Sequence, residues 1–293
     1  MLPTRFLCLT SDARPDKLSH RQTTRCKEEE VTDTIVRGFE KVSDAQIQEW
    51  VQAFHRDGYL VLHEVLPAAL MEQLKADLDT ALGDRSFEGH SIELHHRLFE
   101  TSAANLSLFD MEPIVTLAEA LIDRNCHVIH NNSFRTRHGM GITTWHQDDS
   151  SHYIVTHGEP PTNVHLPVLL FTANYYLTDV EDVAYGPTEV IPRSHLFGAS
   201  PPPSIVGTKW EDQIVSCVGK AGTVVLFNNQ VWHRGGPNQT DRVRYITQVS
   251  YARRLVGHKY YPFMNYEMPQ HVYQDANPRL KRLLGFLPSG AYG

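Results

Sequence analysis

A chain of 293 residues can hold one large domain or two small ones. Its 41% hydrophobic and 21% charged residues are those of an ordinary soluble globule, and a net charge of -7 argues against a sequence-independent nucleic-acid binder, which needs a basic face. The longest apolar runs, such as 167–173, are too short to cross a bilayer, and four scattered cysteines with no CxxC pair point to a reducing compartment, so a cytoplasmic location is expected.

Residues 1–40 read as a flexible tail: they mix Pro, Ser, Thr and charge without hydrophobic periodicity. Six basic residues up to Lys27 make organelle import the alternative, against which Asp12, Asp16 and the lack of an amphipathic stripe count. Residues 41–293 are expected to form a single domain. Helical support is expected over about 43–125. Ser43, with Gln46 at the capping-box position, opens a helix carrying Ile47, Trp50, Val51 and Phe54, which Gly58 ends. Tyr59–Leu62 is a short strand. Pro67 opens a second helix, with Leu70, Leu74, Leu78 and Leu82 on one stripe and Gly83 at its end. A third helical pattern runs from Pro113 to Asp123.

From about 126 to 255 the pattern changes to strands separated by Gly, Pro, Asn and Asp. The runs are Val128–Arg135, Val168–Leu177, Glu189–Ile191, Ile214–Val218, Thr223–Phe227 and Tyr245–Tyr251. The fold class they predict is mainly β with flanking helices, a barrel or jelly roll. Residues 256–293 are expected to be a mostly irregular C-terminal cover.

The sharpest local feature is Trp145-His146-Gln147-Asp148. In an extended segment residues i and i+2 point to one side, so His146 and Asp148 can reach one ion together. His233, after the strand at Thr223–Phe227, can supply a third ligand. Two histidines and one carboxylate leave coordination positions open, as non-haem Fe(II) oxygenases require for a chelating co-substrate and O2. His152, His157, His165 and His195 are nearby alternatives, and Asp149 is the rival of Asp148 without the i+2 geometry. Arg244 can pair its guanidinium with the distal carboxylate of a dicarboxylate co-substrate. Arg242, on the same strand face but nearer the turn, is its rival.

At these residues the chain resembles the phytanoyl-CoA dioxygenase family of 2-oxoglutarate oxygenases. The resemblance covers about 45–255. It rests on Trp145–Asp148, on Gly186-Pro-Thr-Glu-Val-Ile-Pro-Arg-Ser-His195, on Gly222-Thr-Val-Val-Leu-Phe227, and on His233-Arg-Gly-Gly-Pro-Asn238 followed by Arg244. It implies a double-stranded β-helix, the cupin-like jelly roll, with Fe(II) on His146, Asp148 and His233 and with Arg244 on the distal carboxylate of 2-oxoglutarate. Arg193 stands where the family often has Gly. Gly235 offers no hydroxyl where some members have one, so the near carboxylate needs another contact, for which Asn131, Ser133, Arg97 and Arg135 are candidates.

The expected activity is that of a 2-oxoglutarate-dependent dioxygenase. It consumes O2, releases succinate and CO2, and oxidises a C–H bond of a small molecule, most simply by hydroxylation. Desaturation, epoxidation and ring closure begin with the same hydrogen abstraction and stay open. Halogenating relatives lack the carboxylate ligand, so Asp148 argues for oxidation. A non-oxidative cupin-like metal enzyme and a catalytically silent binding protein are the alternatives. A small-molecule substrate is expected, with no nucleic-acid or membrane partner, and the chain as a monomer or weak homodimer. Trp145, Tyr153, Tyr175, Tyr185 and Trp232 are candidates to line an apolar substrate pocket.

Overall fold

The computed structural model describes residues 34–35, 42–258 and 266–287. The expected tail lies outside these apart from Thr34–Ile35, and the C-terminal cover is described only in part. Thr34–Ile35 form a two-residue strand, β1, parallel to β2 (Tyr59–His63). Between them, α1 (Asp44–Asp57) begins where the Ser43 hydroxyl accepts a hydrogen bond from the Gln46 N–H at 3.2 Å. Ile47, Trp50 and Phe54 form its buried stripe. It ends at Gly58, with φ 83°. A Cβ there would stand 2.4 Å from both His195 Nδ1 and Val231 Cγ2, so glycine is required by packing as well as by conformation.

The second helix, α2 (Ala68–Leu82), buries Leu74, Leu78 and Leu82. There follow β3 (Glu93–His96), the short α3 (Ala103–Ser107) and α4 (Ile114–Leu121), which buries Ile114, Val115, Leu117, Ala118 and Leu121. The remaining strands are β4 (His127–Thr136), β5 (Leu170–Tyr176), β6 (Thr188–Val190), β7 (Val215–Cys217), β8 (Val224–Asn228), β9 (His233–Gly235) and β10 (Arg244–Ala252). All six expected strands of the β half are present, and β3 and β9 add to them. The cover is less irregular than expected, since it carries α5 (Gln270–Tyr273) and α6 (Pro278–Leu283). Asn277 caps α6 and Pro278 starts it, a signal readable in the sequence. Arg279 and Arg282 tie α6 to Glu119 of α4, at 3.1 and 2.6 Å.

The strands form a jelly roll. A seven-stranded sheet runs β1-β2-β8-β5-β10-β4-β3, and a three-stranded sheet runs β7-β6-β9. One face of the large sheet packs on the helices, where Phe171, Tyr175, Leu226 and Val249 join Trp50, Phe54 and Leu117 in one core. Its other face meets the small sheet through Phe134, Tyr176, Val190, Val225, Phe227 and Ile246. Burial on both faces explains why β5 and β8 read as continuous buried runs rather than as alternating ones. Among the described residues no helix is long and apolar enough to cross a membrane.

Candidate metal centre

A cavity of about 180 Å³ lies between the sheets, with His146, Asp148 and His233 on its wall. His146 and His233 face each other across an isolated antiparallel bridge: the His146 N–H donates to His233 O at 3.0 Å, and the His233 N–H to His146 O at 2.8 Å. The Asp148 N–H donates to Asn229 O at 2.9 Å, which holds the segment extended. That conformation puts His146 and Asp148 on one side. Asp148 Oδ1 lies 3.7 Å from His233 Nε2 and 4.0 Å from His146 Nε2, and one donor atom from each residue lies within 4.8 Å of the other two.

Both rings are oriented alike. His146 Nδ1–H donates to Thr144 O and His233 Nδ1–H to Val231 O, each at 2.8 Å. A carbonyl only accepts, so the Nδ1 proton is fixed and Nε2 carries the ligand lone pair. His233 is buried, its ring centroid 4.4 Å from that of Phe227, whereas His146 and Asp148 are half-buried. Among the described residues this is the one cluster of such groups that could hold a metal ion.

The other candidates lie elsewhere. Asp149 is exposed and pairs with His152 at 3.6 Å. His157 and His165 are exposed, the latter stacked on His55. His195 is buried, and its Nε2–H donates to His55 O at 3.1 Å. Burial pushes its pKa down to about 4.

Arg244 opens β10 opposite Thr136 and lines the same cavity. Only 4% of it is exposed. Its Nε–H donates to Thr136 Oγ1 at 3.1 Å, while Nη1 is buried without a partner. Burial pushes its pKa down to about 10, partly opposed by Tyr176, and the guanidinium stays charged at neutral pH. A Cβ at Gly186 would lie 3.0 Å from Nη1, so that glycine leaves room for the arginine. Arg242 does not share the strand face expected for it. It precedes β10, is exposed, stands 3.7 Å from Asp179 and lies over the Tyr185 ring.

Strand alternation corrects the near-carboxylate candidates. On β4, His130, Asn132 and Phe134 line the cavity. Asn131 and Ser133 face the other way: Asn131 accepts from the Phe99 N–H and donates to Gln248 O, and Ser133 bonds Thr247 Oγ1. Arg135 is held by Glu93 and Asp79, and Arg97 pairs with Glu100 at 3.1 Å. None of these four lines the cavity. Asn132, Asn174 and Gln248 do, and sequence reasoning missed them. Their signal is a polar residue between buried neighbours, as in Ala173-Asn174-Tyr175.

The aromatic candidates are also placed elsewhere. Trp145 and Trp232 pack with Ile191 and Ile205, and Tyr175 is fully buried in the helix-side core. Tyr185 lies beneath Arg242. Tyr153 lines a separate cavity of about 220 Å³ with Leu166 and Pro167. Arg193 takes φ 67°, a left-handed conformation that favours glycine, so the backbone form is kept where the family often has Gly.

Residues 54–246 match the phytanoyl-CoA dioxygenase (PhyH) family profile. The chain belongs to the phytanoyl-CoA dioxygenase family. It is thereby a non-haem iron, 2-oxoglutarate-dependent dioxygenase. Two curated relatives carry the name dioxygenase. Dioxygenase trt7 of Aspergillus terreus is 23% identical over 270 residues, covering 87% of this chain and 88% of that one. Dioxygenase FUM3 of Gibberella moniliformis is 23% identical over 268 residues, covering 83% and 84%.

Solved structures of this phytanoyl-CoA dioxygenase family member's fold include HygX from Streptomyces hygroscopicus with nickel and 2-oxoglutarate bound. It has a TM-score of 0.59 and 15% identity, over 74% of this chain and 90% of that one. The epimerase SnoN, in complex with Fe3+, alpha ketoglutarate and nogalamycin RO, has a TM-score of 0.56 and 19% identity, over 80% and 94%. At these identities the likeness is one of fold.

Proposed function

We propose that His146, Asp148 and His233 hold Fe(II), that Arg244 binds the distal carboxylate of 2-oxoglutarate, and that the enzyme hydroxylates a C–H bond of a small molecule. The observation that carries this reading is Arg244. A buried guanidinium with an unpartnered Nη1 sits in the same cavity as the ligand set, and no carboxylate pairs with it among the described residues. A buried charge needs a counter-charge, and a dicarboxylate brings one. The donor set also suits the metal: two imidazole nitrogens with their other ring nitrogens tied back, and one carboxylate, leave positions for a chelate and O2.

When bound, the iron supplies O2 activation coupled to decarboxylation of 2-oxoglutarate to succinate and CO2. The chain's own residues orient and exclude. Arg244 fixes one end of the co-substrate through a planar fork. The facing Ile246 and Phe134, next along the wall, suit its methylene chain. Phe227 packs on His233 and shields that side from water. Asp148 fills the ligand position that a halide would need, which supports hydroxylation.

The test is succinate formation from 2-oxoglutarate in the presence of Fe(II), with metal content measured in parallel. His146→Ala and His233→Ala are expected to lose both turnover and iron. Full iron occupancy in either variant would remove the ligand assignment.

A further inference from the structure

Four strands carry a polar row, of which Asn132, Gln248 and Asn174 line the cavity wall. His96 faces Asn132, Asn132 faces Gln248, and Gln248 faces Asn174 in the strand register. Directly opposed residues of antiparallel strands share a face, with Cβ atoms roughly 5 Å apart. The row is hydrogen-bonded at both ends. His96 Nδ1–H donates to Asn132 Oδ1 at 2.7 Å. On the other side Gln248 Nε2–H donates to Asn174 Oδ1 at 2.8 Å, and Asn174 Nδ2–H donates to Thr188 Oγ1 at 3.2 Å, which joins the two sheets.

The chain of bonds stops in the middle. No side-chain hydrogen bond joins Asn132 to Gln248 among the described residues. In these bonds Asn132 uses Oδ1 and Gln248 uses Nε2, so Asn132 Nδ2–H and Gln248 Oε1 remain: one donor beside one acceptor. Both residues line the cavity. Arg244 stands two facing pairs away along β10, beyond the apolar pair Ile246–Phe134.

We infer that Asn132 and Gln248 form a substrate-recognition pair for an amide group that offers its N–H beside its carbonyl, as a lactam or a primary amide does. The substrate carbonyl accepts from Asn132 Nδ2, and its N–H donates to Gln248 Oε1. A carboxylate fits less well, because it only accepts and would set oxygen against Gln248 Oε1. An acyl chain fits worse, because it would take water from both amides and return no hydrogen bond. Next along the wall, Thr172 and Ser250 are hydrogen-bonded to each other at 2.8 Å. The Asn132–Gln248 pair thus offers a donor and an acceptor side by side to a polar ligand. The proposal rests on the reading of the metal centre above, and the experiment separates the two.

Protein loaded with Zn(II), which is redox-inert, is titrated with 2-oxoglutarate. With that ligand present, it is probed by ligand-observed NMR with pyrrolidinone and with N-methylpyrrolidinone, which lacks the N–H. Pyrrolidinone is expected to bind the wild type and the N-methyl compound to bind far more weakly. Asn132→Leu and Gln248→Leu are each expected to weaken pyrrolidinone roughly tenfold or more, while both still bind 2-oxoglutarate, which also shows that they fold. Equal binding of the two probes, no pyrrolidinone binding to the wild type, or unchanged binding in both variants overturns the pair. Loss of 2-oxoglutarate binding in both variants also overturns it, by giving the row to the co-substrate. If the wild type itself fails to bind 2-oxoglutarate, the metal-centre reading falls, and the probe comparison without co-substrate still decides the pair.

Discussion

Arg244 and Arg242 are two residues apart, and the fold treats them in opposite ways. One is buried at the cavity, and the other lies exposed over Tyr185. Losing one partner of a buried ion pair costs roughly 3–5 kcal/mol. Arg244→Ala is therefore expected to raise the 2-oxoglutarate requirement by about two orders of magnitude or more, with little change in iron affinity. Arg244→Lys should recover only part, because an ammonium cannot form the fork. Arg242→Ala should leave the titration unaltered. Titration at saturating Fe(II) decides among these, and a normal curve for Arg244→Ala would take 2-oxoglutarate out of the site. Asp148 and Asp149 form a second contrast: Asp148→Ala should abolish turnover and Asp149→Ala should retain it, since only Asp148 faces the histidines. The His146–Asp148 pair was legible because an extended segment fixes i and i+2. The choice between the arginines was not, because it depends on β10 beginning at Arg244. Asn132 was missed for a related reason. Asn131 and Asn132 look alike in sequence, and only strand phase separates a core residue from a wall residue.

At the scale of elements, the junction of α1 and β2 is the most constrained turn. Gly58 combines φ 83° with contacts that leave no room for a methyl group. Gly58→Ala should destabilise the protein by about 3 kcal/mol, combining left-handed strain with overpacking against Val231 and His195. Chemical denaturation measures this, and a loss within about 0.5 kcal/mol, as at an ordinary surface site, would mean that the turn relaxes freely. The α4–α6 contact gives a pH-dependent prediction. Burial alone would raise the Glu119 pKa, but hydrogen bonds from Arg279 and Arg282 outweigh it and hold the carboxyl below its ordinary value. A depressed folded pKa contributes stability above the unfolded value of about 4.3 and loses it as pH falls through the folded value. Glu119→Gln should thus be less stable than wild type at pH near 7, and the two should converge in acid. A gap that stays constant with pH would assign the effect to packing. Helices α1, α2 and α4 were legible from caps and periodic leucines. Strand β3 was not, because its Glu93-Leu-His-His96 looks polar and is held by Arg135 and Arg137 from outside the segment. Strand β9 is three residues long and defined by backbone pairing alone.

Across the whole molecule, a jelly roll could be expected from short strands at turn-punctuated intervals, but the order of the strands could not. Strand β2 comes from the helical half of the sequence and pairs antiparallel with β8, far along the chain. Such pairing depends on burial of both sheet faces rather than on any local pattern. Fold and site meet again in Arg244. A charge buried without a counter-ion is costly, so an anion that neutralises it should act as a folding ligand as well as a reagent. A ligand at a hundred times its Kd adds about 2.7 kcal/mol to stability. 2-Oxoglutarate should therefore raise the melting temperature of the wild type by several degrees and that of Arg244→Ala by far less. Glutarate, with two carboxylates but no keto group to chelate a metal, should do the same in part even in metal-free protein. If Arg244 holds the distal carboxylate as proposed, succinate keeps a carboxylate for it after the reaction, and the charge that recruits the co-substrate should also slow the departure of its product.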